Sequence, residues 1–478
     1  MLVYVLITIY AIFTIWAIVS ILLYGNRPER SVGWLMVVIM FPIIGVIFYT
    51  LFGINRKRFK FLTLSFTAKR KLYDLNDSNK KSDNYEYKFT SEKYSKLGEL
   101  LENSSGFPAI DSNEIDILKD GEDFFNTLFK SIKDANKFVH LQYFIIEDNE
   151  VYKNLSAVLE EKISQGVEVR ILYDAFGSWG LNHSKISKKL RKQGAEIHAI
   201  LPLNISTILT TINYRNHRKI AIIDGVLAIT GGYNLSNKYI NPKASPFGLW
   251  DDVSLVIKGG AVDHLHRIFI KDYYFASKQK TSLVKDFYLP QQTKANGTLA
   301  QIVYGGPDSD YLSILHQYLM MVNTASKTIY IRNPYFIPNR ALLEAIKMAA
   351  LRGVDVKIMV PKSNDSKVAK YSMFATFRDL LMAGVHIYVL ETGFSHSKII
   401  IVDGDIVSIG SGNFDYRSFE HNYEANTLIY DSKIGESFCS DFMDDIDKCS
   451  LLDYENFKNR PLKEKLLEGL ARIFSPLL

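Results

Sequence analysis

Cysteine is almost absent from this sequence: only Cys439 and Cys449 occur among 478 residues. They lie near each other and lack the spacing partners of a zinc site or a disulfide framework. We therefore expect a protein of a reducing compartment, with neither disulfides nor a structural metal.

A strong excess of one charge is also lacking. Lys and Arg number 57 against 51 for Asp and Glu, which gives a formal net charge of +6. This excess is compatible with anionic substrates or lipid headgroups but is too small to indicate either. The chain is 47% hydrophobic, which excludes a disordered protein, and its length allows two or three domains with real cores.

Charged residues are missing from two long stretches near the N-terminus, residues 2–24 and 31–54. Each stretch is long enough to cross a bilayer as a helix, and GNRPER between them is a short turn. We therefore predict a membrane-embedded transmembrane hairpin over residues 1–58. A cleaved signal peptide is disfavoured because no positive residue precedes the first stretch and a second stretch follows directly.

Basic residues are frequent after the second stretch, whereas the turn has only Arg27 and Arg30. They are Arg56, Lys57, Arg58, Lys60, Lys69, Arg70 and Lys71. The positive-inside rule therefore predicts two spans with residues 55 onward in the cytoplasm. Residues 59–111 include LNDSNKKSDN, which lacks apolar periodicity, and are predicted to be a linker.

The rest of the chain repeats one pattern. FVHLQYFII at 138–146 is followed by a helix-like stretch and GVEVRILYD at 166–174, while TIYIRNPYFIP at 328–338 is followed by a similar stretch and GVDVKIMVP at 353–361. Alternating β-rich and helical segments are typical of α/β layers. We predict two homologous α/β lobes, over residues 112–290 and 291–478. We expect their aromatic pairs to pack the cores, with an acyl groove at the strand ends as the alternative; the pairs are Tyr143 with Phe144 and Tyr335 with Phe336.

A short motif is also duplicated. NHRKIAIIDG at 216–225 matches SHSKIIIVDG at 395–404, and each copy is followed by an echo, GGYN at 231–234 and GSGN at 410–413. The candidate catalytic residues are His217, Lys219, Asp224, His396, Lys398 and Asp403. Each motif runs into β-forming residues, so we place it on a buried strand where His and Lys share a face.

The two aspartates and the glycine tails have different expected roles. Asp224 and Asp403 fall at the far end of the strand with opposite parity, which favours fixing a turn or pairing with a buried cation over touching substrate. The glycines remove side-chain bulk, so we expect the Asn234 and Asn413 amides to approach a ligand closely, as substrate-binding groups. Such a site suits phosphate oxygens.

Histidine and lysine together support phosphoryl-transfer chemistry. One imidazole can attack phosphorus while the other protonates the departing alkoxide and later acts as a base. Two lysines can balance the phosphoryl charge without metal ions, so we expect no cofactor. Each lobe would then supply half of one shared active site.

These residues resemble the phospholipase D superfamily, whose mark is the duplicated HxK, four residues, D motif with a Gly and Asn tail. The likeness is closest to the bacterial cardiolipin synthase family and extends to the hairpin end FPIIGVIFYTLFG, FDYRSFEHNYE at 414–424 and the terminal FSPLL. It implies a protein of the bacterial cell membrane that transfers a phosphatidyl group between two phosphatidylglycerols through a phosphohistidine. The family tendency implies that His217 is the nucleophile.

The resemblance also implies a supporting carboxylate for each histidine. Glu424 occupies the matching position after the second motif. After the first motif the family has WRD where this chain has WDD at 250–252, which leaves Asp251 or Asp252, and we favour Asp252.

Three other functions use the same residues. A phospholipase D would use water as acceptor; a nuclease would cleave nucleic acid, which the bilayer hairpin disfavours; and a catalytically dead lipid-binding protein is disfavoured by the two intact motifs. The segment PLKEKLLEGLARIF at 461–474 has apolar residues at helical spacing. We expect this helix to dock on the lobes, with the membrane interface as the alternative. The residues do not indicate an oligomeric state.

Overall fold

The computed structural model describes residues 1–25, 28–53, 89, 91–202, 213–277 and 297–478. The chain divides into two compact units, one comprising Met1–Asp77 with Leu201–Arg215 and the other Ser78–Ile200 with Asn216–Leu478. The basic cluster at 56–71, the LNDSNKKSDN segment and the predicted lobe boundary near residue 290 lie outside the described residues.

The first unit begins with apolar helices. They are α1 (Leu2–Tyr24), α2 (Pro28–Met40) and α3 (Pro42–Phe48), followed by a π-helical turn (Tyr49–Gly53). Among the described residues, the segment Ile7–Tyr24 of α1 is the one helical stretch long and apolar enough to cross a membrane.

The second apolar stretch is not the single helix that its composition predicts. The helix stops at Phe41, whose φ of −127° is not helical, and α3 starts at Pro42. The chain then folds back, since the Trp34 and Tyr49 rings lie 5.7 Å apart, whereas a straight helix would separate these positions by about 22 Å. Gly45 permits the bend, because a Cβ there would lie 2.4 Å from the Val37 carbonyl oxygen. Proline explains the break, since its ring and missing N–H do not fit a helix interior.

The second unit is built around strands that carry the predicted repeat. They are β1 (Ile110–Leu118), β2 (Phe138–Tyr143), β3 (Glu168–Asp174), β4 (Glu196–Ile200), β5 (Arg215–Asn216, which straddles the unit boundary), β6 (Ile220–Ile223), β7 (Leu227–Gly231), β8 (Trp250–Asp251), β9 (Ser254–Lys258), β10 (Thr298–Gly305), β11 (Thr328–Arg332), β12 (Asp355–Pro361), β13 (His386–Leu390), β14 (Phe394–Ser395), β15 (Ile399–Val402), β16 (Ile406–Gly410), β17 (Asn422–Tyr430) and β18 (Cys449–Leu451).

Helices cover this sheet. They are α4 (Glu92–Ser105), α5 (Gly121–Lys133), α6 (Glu150–Ser164), α7 (Lys185–Gln193), α8 (Ala261–Ser277), α9 (Ser313–Thr324), α10 (Arg340–Leu351), α11 (Lys367–Met382), α12 (Tyr416–Glu420), α13 (Ser432–Ile446), α14 (Tyr454–Lys458) and α15 (Leu462–Phe474). Part of the segment predicted as a linker is thus ordered: Tyr94, Leu97 and Leu101 of α4 belong to the core of the second lobe.

One sheet runs through both lobes in the order β18-β13-β12-β11-β15-β16-β17-β10-β1-β9-β7-β6-β2-β3-β4. Its middle is the antiparallel pair of β1 and β10. Outward from that pair the first lobe has β9, β7, β6, β2, β3 and β4, while the second has β17, β16, β15, β11, β12 and β13. The repeat in sequence is therefore a repeat in strand order, which confirms the two-lobe α/β fold.

Each lobe has its own apolar core, because its central strands are covered on both faces. Leu141, Ile171 and Ala221 belong to the core of the first lobe, and Ile331 and Ile400 to that of the second. The motif strands β6 and β15 are buried along their full length, as their IAII and IIIV sequences predict for strands with two covered faces. The histidines and lysines lie just before these strands, in the extended segments that lead into them, and not on the strands themselves.

Candidate active site

Both motif histidines are attached to the opposite lobe through their own backbone. The N–H of His217 donates to the carbonyl of Tyr423 at 2.9 Å, and the N–H of His396 donates to the carbonyl of Asp251 at 2.8 Å. Tyr423 and Asp251 directly precede the two predicted supporting carboxylates. Strands β14 and β8 pair in parallel beside His396. The lobes are thus joined where the motifs begin.

His217 contacts the carboxylate of the second lobe. Its Nδ1 lies 3.1 and 3.0 Å from the two oxygens of Glu424, and 3.0 Å from the carbonyl oxygen of Ser411. Glu424 is fully buried and also accepts hydrogen bonds from the Ser418 hydroxyl (3.0 Å) and the Asn422 amide (3.2 Å). An Nδ1–H that donates to Glu424 leaves the Nε2 lone pair free for chemistry.

His396 makes the reciprocal contact with the first lobe. Its Nδ1 lies 2.6 Å from Oδ2 of Asp252, whereas Asp251 is ion-paired with Arg332. The structure therefore places the carboxylate of Asp252, and not that of Asp251, against a motif histidine. Each carboxylate follows one motif in sequence but contacts the histidine of the other.

The glycine tails make room for protein groups. A Cβ on residue 232 would come 1.8 Å from Oδ1 of Asp252, and one on residue 410 would come 2.3 Å from the side-chain oxygen of Asn426. Gly232 therefore lets the Asp252 carboxylate reach His396. The sequence predicts that these glycines admit a ligand, whereas the groups that approach residues 232 and 410 in the structure are side chains of the protein.

The two motif lysines are buried in the same cluster. The Lys219 ammonium donates to the carbonyl oxygen of His217 at 2.6 Å. The Lys398 ammonium donates to the His396 carbonyl and lies 3.7 Å from Oδ2 of Asp252. Burial lowers the pKa of Lys219 to about 7 despite the opposing charge of Glu424, and burial also lowers the pKa of Lys398.

The histidines are neutral near pH 7. Burial lowers the pKa of His217 although Glu424 opposes the shift, and the charge of Lys398 from the other lobe adds to the lowering. Burial lowers the pKa of His396 further below its ordinary value, with contributions from Lys398 and Lys219. Because charges on each lobe act on the histidine of the other, the four groups form one electrostatic cluster.

The two carboxylates differ in their pKa values. Burial alone would raise the pKa of Glu424, but His217 and Lys219 outweigh it and the pKa is lowered. Burial raises the pKa of Asp252 to about 6, against the lowering effect of Lys398. Glu424 is therefore ionised throughout the neutral range, whereas Asp252 titrates at its lower edge.

The motif aspartates lie away from this cluster, at the far ends of β6 and β15. Asp224 accepts hydrogen bonds of 2.7–2.8 Å from the N–H groups of residues 136–138. Asp403 accepts from the N–H groups of residues 326–328 and from the ammonium of Lys93 at 2.7 Å. Both have positive φ, 53° and 57°. The structure thus does not bring these two candidate catalytic residues to the histidines; each ties a hairpin turn to the start of a neighbouring strand.

The two motif asparagines differ from each other. The side chain of Asn234 is engaged within the protein, since its oxygen accepts from the N–H of Ile145 (3.1 Å) and its amide donates to the Tyr239 hydroxyl (3.3 Å). The side-chain oxygen of Asn413 is buried and has no hydrogen-bond partner within the described part of the chain. Of the two asparagines predicted to bind substrate, Asn413 is the one whose side-chain oxygen makes no hydrogen bond within the described residues.

Sequence reasoning missed Arg218, the residue between His217 and Lys219. Its fully buried guanidinium donates to Asp272 at 2.6 Å, and to the carbonyl oxygens of Glu424 (3.2 Å) and Gly305 (2.9 Å) in the second lobe. Arg218 therefore ties the first motif to the strand that carries Glu424. Its position between two candidate catalytic residues was the available signal. The sequence does not indicate, however, which groups a charged side chain at this position would contact.

Two aromatic residues expected in the cores lie beside the histidines. The Phe144 ring is 4.9 Å from the His217 ring, and the Tyr335 ring is 6.5 Å from the His396 ring, both edge to face. Their chain neighbours Tyr143 and Phe336 are buried as predicted. Each motif histidine thus has one of these aromatic rings edge to face against it.

A loop next to Phe144 exposes two more aromatic residues. Phe176 is 59% exposed and Trp179 is 77% exposed. The Ser178 hydroxyl between them donates to the Phe144 carbonyl at 3.0 Å, and Asp174 holds the start of the loop through the N–H groups of Phe176 and Gly177. The hydrogen bond from Ser178 thus holds this exposed aromatic loop beside Phe144, whose ring contacts His217.

No group of three or more His, Cys, Asp or Glu side chains is arranged to hold a metal ion in the described ranges. The absence of a cofactor stays a prediction.

Fold and site together define the class: a double-lobed phospholipase D-like protein with one composite His and Lys site. A family model described as "Cardiolipin synthase, PLD-like domain" matches residues 128–273 and 318–446, and "Phospholipase_D-nuclease N-terminal" matches residues 12–53. The chain belongs to the cardiolipin synthase family of phospholipase D-like proteins, as the motifs suggested.

Curated relatives support this assignment over nearly the full chain. A "Cardiolipin synthase" of Geobacillus sp. (strain WCH70) is 37% identical, with 95% of this chain and 90% of the relative covered. The "Major cardiolipin synthase ClsA" of Bacillus subtilis (strain 168) is 35% identical, with 96% of each chain covered. The crystal structure of a phosphatidylserine synthase from Haemophilus influenzae Rd KW20 shares the fold, with a TM-score of 0.63 at 17% identity over 81% of this chain and all of that one.

Proposed function

We propose that this protein is a cardiolipin synthase, which transfers a phosphatidyl group from one phosphatidylglycerol to another and releases glycerol. The family membership supplies the substrate class. One observation carries the mechanism: each motif histidine is hydrogen-bonded to a carboxylate of the other lobe, His217 to Glu424 and His396 to Asp252. This arrangement readies two neutral imidazoles with free Nε2 atoms for a single phosphodiester.

In the first half-reaction, Nε2 of His217 attacks phosphorus and the bond from phosphorus to the glycerol oxygen breaks. His217 suits the nucleophile's role because Glu424, whose pKa is lowered, stays ionised and stabilises the positive charge that develops on the ring. Asp252, with a pKa of about 6, is a weaker partner near neutrality. The product is a phosphatidyl group on His217.

His396 serves as the acid and then the base. It gives a proton to the departing glycerol oxygen, and in the second half-reaction it takes one from the attacking hydroxyl of a second phosphatidylglycerol. The free site keeps His396 neutral, so the proton must be acquired when the anionic phosphodiester binds, because negative charge nearby raises a histidine pKa. The phosphorus–nitrogen bond then breaks and cardiolipin leaves.

Lys219 and Lys398 neutralise the equatorial phosphoryl oxygens, which is the task that metal ions perform in other phosphoryl transferases. A bound phosphate would also restore the lysine charges that burial weakens. Asn413, whose side-chain oxygen lacks a partner in the described structure, is our candidate binding amide. Asp224, Asp403 and Asn234 support the fold around the site.

Product analysis tests the proposal. Purified protein given phosphatidylglycerol vesicles and EDTA, without nucleotide, should form cardiolipin and glycerol in equal amounts, because the phosphohistidine conserves the energy of the cleaved ester. Phosphatidic acid as the sole product would identify the water-using phospholipase D instead. Activity lost to EDTA and restored by one divalent ion would refute the metal-free role of the lysines.

For the membrane part we propose two spans, with both ends of the hairpin and the catalytic body in the cytoplasm. The apolar segment Ile7–Tyr24 and the basic residues that follow the hairpin support this topology. The bend at Phe41 favours one alternative topology. In it the second apolar segment is re-entrant, so it enters and leaves the membrane on the cytoplasmic side, and Met1 lies outside the cell. In intact cells, an impermeant reagent should fail to label a cysteine near residue 80 and a tag at Met1; labelling of the tag alone indicates the re-entrant form.

A further inference from the structure

The C-terminal helix α15 shows its apolar side to solvent. Its large apolar residues on that side are between 52% and 71% exposed: Leu462, Leu466, Leu470, Ile473 and Phe474. Their spacing aligns them on one face of the helix, in a stripe about 18 Å long. We call this set the leucine stripe.

The opposite face of the helix attaches it to the protein. Ala471 and Glu468 are buried; the Ala471 carbonyl accepts from the Ser372 hydroxyl of α11 at 2.8 Å, and Glu468 accepts from Arg460 at 2.8 Å. Surface helices normally bury the apolar face and expose the polar one. The expectation that this helix docks on the lobes is confirmed, but it docks through small and polar groups, and the leucine stripe is not the docked face.

The chemistry around the leucine stripe matches a lipid surface. Lys463, Lys465 and Arg472 of the same helix are exposed, and amphipathic helices of this composition bind at the boundary between acyl chains and anionic headgroups. Contiguous exposed apolar surface on a soluble body marks an interaction site. The same chain carries a helix able to cross a membrane, so a bilayer is the apolar phase within reach.

We propose that the leucine stripe of α15 lies in the interfacial region of the bilayer and holds the catalytic body against the membrane. The inference rests on the proposed function, since a lipid substrate gives the body a reason to stay at the surface. It assigns α15 as a second membrane attachment, separate from the N-terminal hairpin.

Fluorescence depth measurements test the contact directly. In the full chain with Cys439→Ser and Cys449→Ser, a polarity-sensitive dye is attached through Leu470→Cys, and a control dye through Lys153→Cys on an exposed site of α6. In phosphatidylglycerol vesicles, the dye at 470 should shift to the blue and be quenched by lipids that carry nitroxides near the headgroup, while the dye at 153 should do neither. An unshifted dye at 470 overturns the proposal. A blue shift without lipid quenching that grows with protein concentration also overturns it, and identifies a second copy of the chain as the occupant.

An activity test separates this inference from the proposed function. The double variant Leu466→Glu, Leu470→Glu should synthesise cardiolipin about tenfold more slowly in vesicles, yet match the parent in detergent micelles, where the substrate reaches the site freely. Leu466→Met, Leu470→Met is the matched apolar control and should retain the vesicle rate. A parent that makes no cardiolipin in micelles refutes the proposed function, whereas a double variant that is fully active in vesicles refutes the inference alone. If the double variant is inactive in micelles, a Leu466→Gln, Leu470→Gln variant with a parental melting temperature decides by the same comparison.

Discussion

The two lobes share one strand order and one motif, yet their contributions to the site have diverged. The histidine of the first lobe faces a glutamate whose pKa is lowered, and that of the second faces an aspartate whose pKa is raised to about 6. Asn234 is engaged by the fold, while the Asn413 oxygen has no partner in the described structure. The two lobes thus keep equivalent residues in equivalent positions but give them different surroundings, which suits the two distinct proton-transfer roles of the proposed reaction.

The largest expected effect separates the two histidines. His217→Ala should abolish turnover and any covalent phosphatidyl adduct. His396→Ala should slow turnover with glycerol as leaving group by about 10³-fold, yet still form an adduct on His217 from a donor whose phenolate leaves unprotonated. Mass spectrometry of both variants after reaction with that donor locates the adduct. An adduct on His396 in the His217→Ala protein, with none in the other variant, would exchange the roles of the lobes.

The next effect concerns the buried arginines that join the lobes. Arg218 and Asp272 are almost fully buried, so Arg218→Met should lower the free energy of unfolding by about 3–5 kcal/mol, because it leaves a buried carboxylate unpaired. Arg332→Met should cost less, because its two partners Asp251 and Asp445 are 42% and 18% exposed, against 6% for Asp272. Denaturant unfolding of the two variants measures the difference. Equal losses of unfolding free energy in the two variants would show that burial of the carboxylate partners does not set the size of the loss.

The carboxylates should differ in pH dependence. Asp252 loses its charge as pH falls through its pKa of about 6, and Lys219 loses its charge as pH rises through its pKa of about 7. For kcat, which reports the substrate complex in which His396 has taken up its proton, we expect a maximum that spans these values. The rate should fall about tenfold for each pH unit beyond either limb, and the bound phosphodiester and the protonated His396 move the two limbs apart. Asp252→Asn should remove the acid limb, whereas Glu424→Gln should lower the rate and leave that limb in place. An acid limb that survives in Asp252→Asn would assign it to another group.

The smallest effect tests the loops beside the site. The first lobe exposes Phe176 and Trp179 there, whereas the corresponding loop of the second lobe is the polar segment KSNDS at 362–366. Trp179→Ala should raise KM for phosphatidylglycerol vesicles by about three- to tenfold, since aromatic side chains favour the lipid interface. The rate with a water-soluble phosphodiester should not change. Trp179→Phe is the conservative control, and equal losses with both substrates would indicate a structural role.

The residue patterns predicted the lobes, the histidines and the lysines, and the resemblance to the phospholipase D superfamily implied both supporting carboxylates. The sequence could not predict that each carboxylate contacts the histidine of the other lobe. That contact depends on β8 and β17 lying beside the opposite motif, and strands that are neighbours in space but far apart in sequence leave no local pattern. The turn positions of Asp224 and Asp403 were readable from parity and the following glycine. The sequence does not predict the fold-back at Phe41, because membrane-spanning helices also tolerate proline. The exposure of the leucine stripe contradicts periodicity reasoning, which assumes that an apolar face is buried in the protein.

The backbone bonds that link each histidine to the opposite lobe have a consequence during synthesis. The chain emerges from its N-terminus and folds lobe by lobe, so His217 is made long before Tyr423 and Glu424 exist to hold it. The proposed nucleophile therefore has no oriented proton partner until nearly the whole protein has left the ribosome. We therefore expect a chain that ends before residue 424 to be inactive, because its His217 lacks the carboxylate that orients it.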